Sequence, residues 1–212
     1  PSAIRGIAGE CRLAFCRQPA EPVDVVLNCS PVPVSPDLLS RIASDPATVR
    51  VIETAADDVP DTYTYGLCEL NRKALVRGAM AARHVSPLAM TVELALLPLA
   101  KNLLLNSPIY VSAVTGTSSG RGITRRCCGK LPECDEIAEA MRLAQSSFYQ
   151  PVDIVEMRAG ASEGLMAVVS VQCGMALGEI RSLFEKTYHD HNFTFVSTEN
   201  VDTRDIAGTN KC

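Results

Sequence analysis

Residues 116–120 follow the pattern Gly-x-Ser-x-Gly, the spacing of the turn that presents the nucleophilic serine of many hydrolases directly after a strand. In such an enzyme Ser118 would be the nucleophile, and an acid and a histidine would follow later in the chain. The residues that supply this order are Asp153 and His189 or His191. The turn must open into a helix, however, and residues 121–126 lack the apolar spacing of one, so a flexible loop is the stronger interpretation.

The same loop has a second possible chemistry, the binding of a phosphate group. Backbone N–H groups in a run rich in glycine and serine can converge on an anion, and guanidinium groups close by would add charge. The arginines nearest to the run are Arg121, Arg125 and Arg126. A solvated basic turn explains the same residues equally well, so the sequence leaves the two interpretations open.

The chain has nine cysteines, and this odd number argues against a disulfide framework where no signal-peptide pattern is found. We therefore expect reduced thiols and a cytoplasmic location. Cys127, Cys128 and Cys134 form the densest group, but adjacent cysteines rarely coordinate one zinc ion, and no C-x-x-C pair follows them. The sequence predicts no metal site.

Composition and charge exclude several classes of protein. Of the 212 residues, 47% are apolar and 21% are charged, which is typical of a folded globular protein. The formal net charge of -4 provides no basic field to attract nucleic acid. The longest apolar run, residues 94–100, is too short to cross a bilayer. We expect neither nucleic acid nor a membrane among the partners.

Strands and helices alternate over residues 22–60, which predicts an α/β unit with a parallel sheet. Residues 23–29 are a short β-branched run, typical of a buried parallel strand, and the three prolines in residues 30–36 must end it in a stiff loop. A helix over residues 37–44 and a second strand over residues 49–52 complete a strand–helix–strand crossover.

A second unit, with an α+β pattern, is predicted from residue 85 onwards. Residues 90–105 are apolar nearly all round, which indicates a buried helix, although Pro98 must kink it or remove one hydrogen bond. Further strands are predicted over residues 109–115, 152–157, 165–171 and 192–197, and further helices over residues 134–148 and 177–188. The predicted domains are therefore residues 1–84 and residues 85–212.

Six segments of the chain carry motifs of a known enzyme family. They are residues 6–11, 23–30, 65–72, 96–101, 114–116 and 208–212. In this order and spacing they resemble the N-acetyl-γ-glutamyl-phosphate reductase family of the semialdehyde dehydrogenase superfamily, most specifically through Tyr-Gly-Leu-x-Glu-Leu-Asn-Arg at residues 65–72. The resemblance implies a partial Rossmann-like parallel sheet that binds NADP, over residues 1–84. It also implies an α+β semialdehyde-dehydrogenase-type catalytic and dimerisation domain, incomplete at its C-terminus, over residues 85–212.

The resemblance also implies a reaction, the NADP-dependent reduction of an acyl phosphate to a semialdehyde in arginine biosynthesis. In the family a cysteine thiolate in an Asn-Pro-Gly-Cys turn attacks the acyl phosphate, and hydride from NADPH reduces the resulting thioester. A histidine in a His-x-Pro-Glu-Ile motif acts as acid and base. Carried over by position, the segment that contacts the nucleotide becomes Cys29, Ser30 and Pro31. The substrate and phosphate loop becomes Thr115, Gly116, Thr117, Ser118, Ser119 and Gly120.

The catalytic positions of this chain depart from the family pattern. Where the family has Asn-Pro-Gly-Cys, residues 86–89 read Ser-Pro-Leu-Ala, so Ala89 stands at the position of the nucleophile. Glu133 stands near the position of the acid–base histidine, and the segment between the loop and this position is shortened. We expect the glycine-rich first βαβ unit and the closing strands and long helix to be absent, which argues against NADP binding.

These departures predict a truncated and degenerate family member that is catalytically impaired or inactive, with no catalytic residue intact. Cys68, within the most specific family segment, is the nearest candidate for a substitute thiol. One alternative is a non-catalytic paralogue that acts by binding or oligomerisation, as a homo-oligomer or together with a full-length reductase. The others are an oxidoreductase with a rearranged site for a small acyl phosphate and a serine hydrolase that uses Ser118.

Overall fold

The computed structural model describes residues 16–55, 59–116, 123–125, 130–160, 164–206, 208–209 and 211–212. In chain order the elements are β1 (Val25–Asn28), α1 (Pro36–Ile42), β2 (Arg50–Glu53), β3 (Thr64–Tyr65), α2 (Cys68–Val76), β4 (Ala81–Arg83), α3 (Pro87–Ala100), β5 (Ile109–Gly116), β6 (Ile123–Arg125), α4 (Pro132–Ala144), β7 (Val152–Ala159), β8 (Leu165–Ser170), α5 (Leu177–Tyr188) and α6 (Thr203–Ile206). They belong to two compact units. The first comprises Pro1–Tyr65 and Ala74–His84, and the second comprises Gly66–Lys73 and Val85–Cys212.

The first unit is built on a parallel sheet with the strand order β1-β2-β4-β3. Val49 and Val51 lie in its core. Helix α1 begins after Ser35, whose Oγ accepts the N–H of Leu38 at 3.2 Å. Pro36 lies in the first turn of this helix, where no N–H donor is needed. The crossover from β1 through α1 to β2 therefore forms as the sequence predicts.

Strand β1 forms at the predicted place but is less buried than predicted. It runs parallel to β2, with Val25 opposite Arg50 and Asn28 opposite Glu53. Val25 and Leu27 are exposed, so the prediction of a buried strand is wrong for the face of β1 that carries these two side chains. Among the described strands β1 is at the edge of the sheet, and the face that carries these two side chains is open to solvent.

The second unit is built on a mixed sheet with the strand order β6-β7-β5-β8. Strands β5 and β7 are parallel, and each edge strand is antiparallel to its neighbour. Ile109, Val111 and Ala113 alternate along β5 and are buried on the face that α3 and α4 cover. The predicted fold class is confirmed, because a parallel α/β sheet is followed by an α+β unit.

Helix α3 is the buried centre of the second unit, and most of its side chains are enclosed, as its apolar sequence predicts. Pro98 lies inside the helix, which nevertheless continues to Ala100. It ends earlier than predicted because Leu103 has a φ of 58°, in the left-handed region, which a right-handed helix cannot continue through. No helix among the described residues is long and apolar enough to cross a membrane.

The strand predicted over residues 192–197 is not formed. Instead this segment brackets the last residue of the chain: the N–H of Cys212 donates to the carbonyl of Phe193 at 2.7 Å, and the N–H of Phe195 donates to the carbonyl of Cys212 at 2.8 Å. Apolar and polar residues alternate in this segment as they would in a strand, but its backbone pairs with the single residue Cys212. The prediction of a strand here is therefore wrong.

Candidate functional site

The N-terminus of α3 is where the family resemblance places the nucleophile. Ser86 is the N-cap of the helix: its Oγ accepts the N–H of Ala89 at 3.2 Å, and its own N–H donates to Oε1 of Glu136 at 3.1 Å. Pro87 occupies the first turn. Ala89 is 0% exposed. Position 89 therefore presents an enclosed methyl group and no reactive atom.

The surroundings of this helix start would suit a thiolate, because the N–H groups of a first turn stabilise negative charge. Residues 84–100 nevertheless contain no cysteine. The one hydroxyl at the helix start, that of Ser86, is used as the cap. The start of α3 is thus a capped helix N-terminus with an alanine, and no cysteine, at the position to which the resemblance assigns the nucleophile.

Three described cysteines have thiols whose pKa is shifted, and each shift is upward. Burial raises the pKa of Cys134, which lies in the first turn of α4. Burial, and then the negative charge of Glu69, raise the pKa of Cys68 and of Cys212. A raised pKa keeps a thiol protonated near neutral pH, which is the opposite of what a thiol nucleophile needs. Cys68 is therefore a poor substitute, and Cys11, Cys127 and Cys128 lie outside the described residues.

Helix α4 brings carboxylates to the position near which the family has its acid–base histidine. Glu133 lies in the first turn and is buried, and Glu136, one turn further on, accepts the N–H of Ser86. A carboxylate in the first turn of a helix is stabilised by the N–H groups there, which is a structural role. Glu136 links α4 to the cap of α3.

The histidines of the second unit lie at the C-terminal end of α5. Nδ1 of His189 is 2.9 Å from Oδ1 of Asp190, and Nδ1 of His191 is 3.8 Å from Oε1 of Glu69. A serine hydrolase would instead need one of these imidazole rings to be hydrogen-bonded to the carboxylate of Asp153. The imidazoles are engaged with other carboxylates, so the structure does not bring the acid and base of that triad together.

The predicted phosphate loop begins at the end of β5. The hydroxyl of Thr115 donates to Oε1 of Glu156 at 2.7 Å, and the N–H of Gly116 donates to the carbonyl of Gly164 at 2.8 Å. The other predicted loop residues, Thr117, Ser118, Ser119 and Gly120, lie outside the described residues. Sequence reasoning missed Glu156, although an acidic residue at an inward position of an apolar strand is a signal for a buried polar contact.

The segment that the resemblance assigns to the nucleotide follows β1 and is fixed by a buried carboxylate. Glu53, at the end of β2, is 0% exposed, and its two oxygens accept Nδ2 of Asn28 at 2.6 Å and the N–H of Val34 at 2.9 Å. Within the loop, the N–H of Ser30 donates to Oδ1 of Asn28, and the N–H of Val32 donates to Oγ of Ser30. Cys29 and Pro31 lie in the same loop and are exposed.

This loop does not fit a pyrophosphate group. A dinucleotide site offers free backbone N–H groups and glycines that let the phosphates approach closely. Here the N–H groups of residues 30, 32 and 34 already donate within the unit, and three loop residues have no N–H at all: Pro31, Pro33 and Pro36. Residues 16–65 contain no glycine. The loop can offer side chains to a nucleotide but no backbone cradle for its phosphates.

Three of the family segments meet in the second unit at Glu69. Nζ of Lys101 donates to the backbone carbonyl of Glu69 at 2.9 Å, and Oγ1 of Thr194 donates to its Oε1 at 3.2 Å. The charge of Glu69 also acts on the thiol of Cys212, and burial lowers the pKa of Lys101. Among the described residues, no group of three or more side chains is arranged to hold a metal ion. The cluster ties residues 65–72 to the C-terminal segment.

The fold is similar to that of a solved semialdehyde dehydrogenase. It resembles the crystal structure of aspartate semialdehyde dehydrogenase II from Vibrio cholerae, with a TM-score of 0.61 at 14% sequence identity. The superposition covers 82% of this chain and 61% of that protein, so the chain spans less than two thirds of the solved structure. No protein-family model matches the chain.

Sequence comparison identifies the family. The chain is 29% identical over 230 aligned positions to the N-acetyl-γ-glutamyl-phosphate reductase of Parabacteroides distasonis and 31% identical over 232 positions to that of Bacteroides fragilis. Each alignment covers 98% of this chain and 70% of the relative. This chain belongs to the N-acetyl-γ-glutamyl-phosphate reductase family, as its motifs predict. Because the aligned lengths exceed its 212 residues, both relatives carry residues in the aligned region that it lacks.

Proposed function

We propose that this chain is a family member that has lost the reductase reaction and acts as a non-catalytic subunit. The observation that carries the proposal is the start of α3, where the nucleophile position is an enclosed alanine. An alanine cannot form a thioester with an acyl phosphate. Removal of a covalent nucleophile lowers the rate of such reactions by several orders of magnitude.

The remaining thiols and the cofactor loop support the same conclusion. Burial raises the pKa of three described thiols, which argues against Cys68, Cys134 and Cys212 as substitutes for the nucleophile. In the loop after β1 the backbone N–H groups of residues 30, 32 and 34 already donate within the unit and residues 31 and 33 are prolines, which argues against a phosphate cradle for NADP there. The serine hydrolase interpretation gains no support, because the relatives reported above are reductases.

The test is an assay for NADPH consumption with N-acetyl-γ-glutamyl phosphate, with the Bacteroides fragilis enzyme as the positive control. We expect no turnover from the wild-type chain at high enzyme concentration, and none in the reverse direction with the semialdehyde, NADP and arsenate. The Ala89→Cys variant should also be inactive, since position 89 is enclosed and a glutamate, Glu133, stands near the position of the acid–base histidine. Turnover by the wild-type chain would refute the proposal, whereas turnover by the variant alone would limit the defect to one residue.

A second observation favours association with another subunit. The face of the second unit's sheet opposite α3 and α4 exposes apolar side chains from three neighbouring strands, with Tyr110 57% and Val168 61% exposed. The other members are Val114, Val155 and Met166. An apolar patch shared by several strands is typical of a surface that another sheet covers. We propose that this apolar face is covered by the same face of a second family subunit. A two-fold axis between two subunits places identical surfaces against each other.

Sedimentation velocity tests this association with a matched pair of variants. Val168→Asp places a charge on the sheet face, and Val201→Asp places one at an equally exposed valine elsewhere in the second unit, where Val201 is 67% exposed. We expect wild type and Val201→Asp to sediment as dimers and Val168→Asp as a monomer with an unchanged circular dichroism spectrum. A monomeric wild type that also fails to bind a full-length reductase would exclude the subunit role.

The location of the chain is also a proposal. The six described cysteines carry free thiols, which supports a reducing compartment such as the cytoplasm.

A further inference from the structure

Strand β8 forms one edge of the sheet in the second unit, and no described residue pairs with its outer side. The N–H of Gly116 donates to the carbonyl of Gly164, and these two positions continue the register of β5 with β8. In an antiparallel ladder the backbone groups of alternate residues point to the same neighbour. The groups of the even-numbered residues of β8 therefore point to β5, and those of Leu165, Ala167 and Val169 point outwards.

The outer edge of β8 lacks the features that usually protect an edge strand from pairing. Protected edge strands are very short, or they carry charges, prolines or bulges. β8 is six residues long, its sequence Leu-Met-Ala-Val-Val-Ser has no charge and no proline, and its register with β5 is unbroken. By contrast, β6 at the opposite edge of the sheet has three residues. An open edge of this kind is a template for another strand.

The side chains of β8 on the side that the helices cover are less buried than their partners on β5. Val111 and Ala113 of β5 are 2% and 0% exposed. Val169 and Ala167, which lie opposite them on β8, are only partly buried. The apolar layer under α3 and α4 thus reaches the edge of the sheet unfinished, and a further strand beside β8 would remove more of it from water.

Helix α6 limits where a further strand can pair. Thr203, the first residue of α6, has its Cβ 3.3 Å from the point where a side chain on Gly164 would begin. A partner strand therefore has to pair beyond the start of β8, along residues 166–170.

The outward groups in this stretch fit a second copy of the same strand. A two-fold axis beside Val168, perpendicular to the sheet, places two β8 strands antiparallel. Ala167 then lies opposite Val169 of the partner subunit, and the two residues can exchange both of their backbone hydrogen bonds. The same pair occurs a second time on the other side of the axis, which gives about four hydrogen bonds in all.

The side chains agree with this register. Val168 lies opposite its own copy, and β-branched residues pack well as cross-strand partners. Met166 lies opposite Ser170 of the partner subunit, so a long side chain meets a short one. Like charges do not meet, because residues 165–170 are uncharged.

We propose that β8 pairs edge to edge with β8 of a second copy of this chain, which joins two four-stranded sheets into one continuous sheet. This contact is separate from the sheet-face contact proposed above and does not rest on it. It involves one strand from each copy, so its Kd should be roughly 0.1–1 mM. Dimers formed through the sheet face would associate further through this edge only at such concentrations.

Disulfide cross-linking tests the register. Opposite residues that share no hydrogen bonds have Cα atoms about 4.5 Å apart, a distance that a disulfide can span. Val168→Cys should therefore form a cross-linked dimer under oxidation by glutathione disulfide at about 0.2 mM protein. Met166→Cys alone is the matched control, because its two copies would lie about 13 Å apart along the strands. A mixture of Met166→Cys and Ser170→Cys should cross-link, and peptide mapping distinguishes each new disulfide from those of the native cysteines.

A proline separates the edge contact from the sheet-face contact. Ala167→Pro removes an N–H that points outwards and none that points to β5, so it should slow the Val168→Cys cross-link at least tenfold. Ala167→Ser keeps the N–H and should leave the rate unchanged. Val155→Asp alters the sheet face on β7, two strands away from the edge, and the cross-link should persist in that background.

Three results would overturn the proposal. The first is equal cross-linking of Met166→Cys alone and of Val168→Cys, and the second is no cross-link in either Val168→Cys or the mixture. The third is a Val168→Cys cross-link that Ala167→Pro leaves unchanged or that Val155→Asp abolishes, since it would then come from the sheet face. If Ala167→Pro fails to fold, the comparison of the mixture with Met166→Cys alone still decides the register. Failure of the edge contact would leave the sedimentation result for the sheet face unaffected.

Discussion

The hydroxyl of Tyr188 donates a hydrogen bond to the backbone carbonyl of Leu94. In a regular α-helix that carbonyl would accept the N–H of the residue four positions later, which in α3 is Pro98 and has no N–H. Tyr188 is the last residue of α5 and is buried. A side chain from another helix thus supplies the donor that the proline removes, and α3 continues to its end.

This relationship predicts the stability of two variants and their combination. Tyr188→Phe leaves the buried carbonyl of Leu94 without this donor and should lower the free energy of unfolding by about 1–3 kcal/mol. Pro98→Ala restores the N–H within the helix, so Tyr188→Phe should cost clearly less in the Pro98→Ala background. Urea unfolding of the four proteins at pH 7 measures the coupling. Additive effects would show that the hydroxyl does not compensate for the proline.

The same hydroxyl predicts a loss of stability at high pH. Burial, and then the charges of Glu69 and Cys212, raise the pKa of Tyr188 above its ordinary value of 10.0. Above that value the unfolded chain releases the proton while the folded chain retains it, so the stabilisation is complete below pH 10 and decreases as the pH rises. The difference in stability between wild type and Tyr188→Phe should therefore shrink above pH 10, by up to about 1.4 kcal/mol per pH unit. A constant difference between pH 8 and pH 11 would contradict the assignment.

The spacing of apolar residues along the chain predicts most of the helices and strands that position the candidate site. It does so because each of these elements buries either one face or its whole surface. Strand β5 and helix α5 lie where their apolar spacing places them, whereas α3 begins and ends earlier than the predicted residues 90–105. The failure over residues 192–197 has a physical reason: Phe193 and Phe195 are exposed and Thr194 between them is buried, so the apolar alternation does not mark an inward face. The backbone of the segment is hydrogen-bonded to the single residue Cys212.

The polar contacts around the candidate site residues could not be predicted from the sequence. Glu53, Glu69 and Glu156 each hold partners from distant segments, and a single acidic residue in an apolar run does not reveal which donor it will meet. The prediction that the nucleophile is missing is of another kind. It rests on four consecutive residues, 86–89, because the absence of a sulfur atom needs no knowledge of the fold, and it stays a prediction until activity is measured.

Glu53 is predicted to be the main support of the loop after β1. Removal of its carboxylate in Glu53→Ala leaves Nδ2 of Asn28 with one acceptor fewer and the N–H of Val34 without its acceptor, next to a cavity. We expect a loss of about 2–4 kcal/mol in the free energy of unfolding. Glu185→Ala, at an exposed position of α5, should change it by less than about 0.5 kcal/mol. A similar small loss for both variants, measured by urea unfolding, would refute the role of Glu53.

The reactivity of the thiols provides an independent test of the lost chemistry. Cys134 is buried and has a raised pKa, so in the native protein it should be alkylated by iodoacetamide last, and only at the rate at which the chain unfolds. Cys68 is exposed but also has a raised pKa, so at pH 7 it should react more slowly than a cysteine in an unstructured peptide, and its rate should still be rising at pH 9.

Peptide mapping by mass spectrometry after timed labelling gives each rate separately, with labelling in urea as the reference for full reactivity. An activated nucleophile behaves in the opposite way, since a low pKa makes its alkylation fast and nearly independent of pH above 7. Fast labelling of Cys68 at pH 6 would therefore identify a thiolate within the most specific family segment and would contradict the proposal that this chain has no nucleophile. Slow labelling that rises with pH is the result that the burial of Cys68, and then the charge of Glu69, predict through a raised pKa.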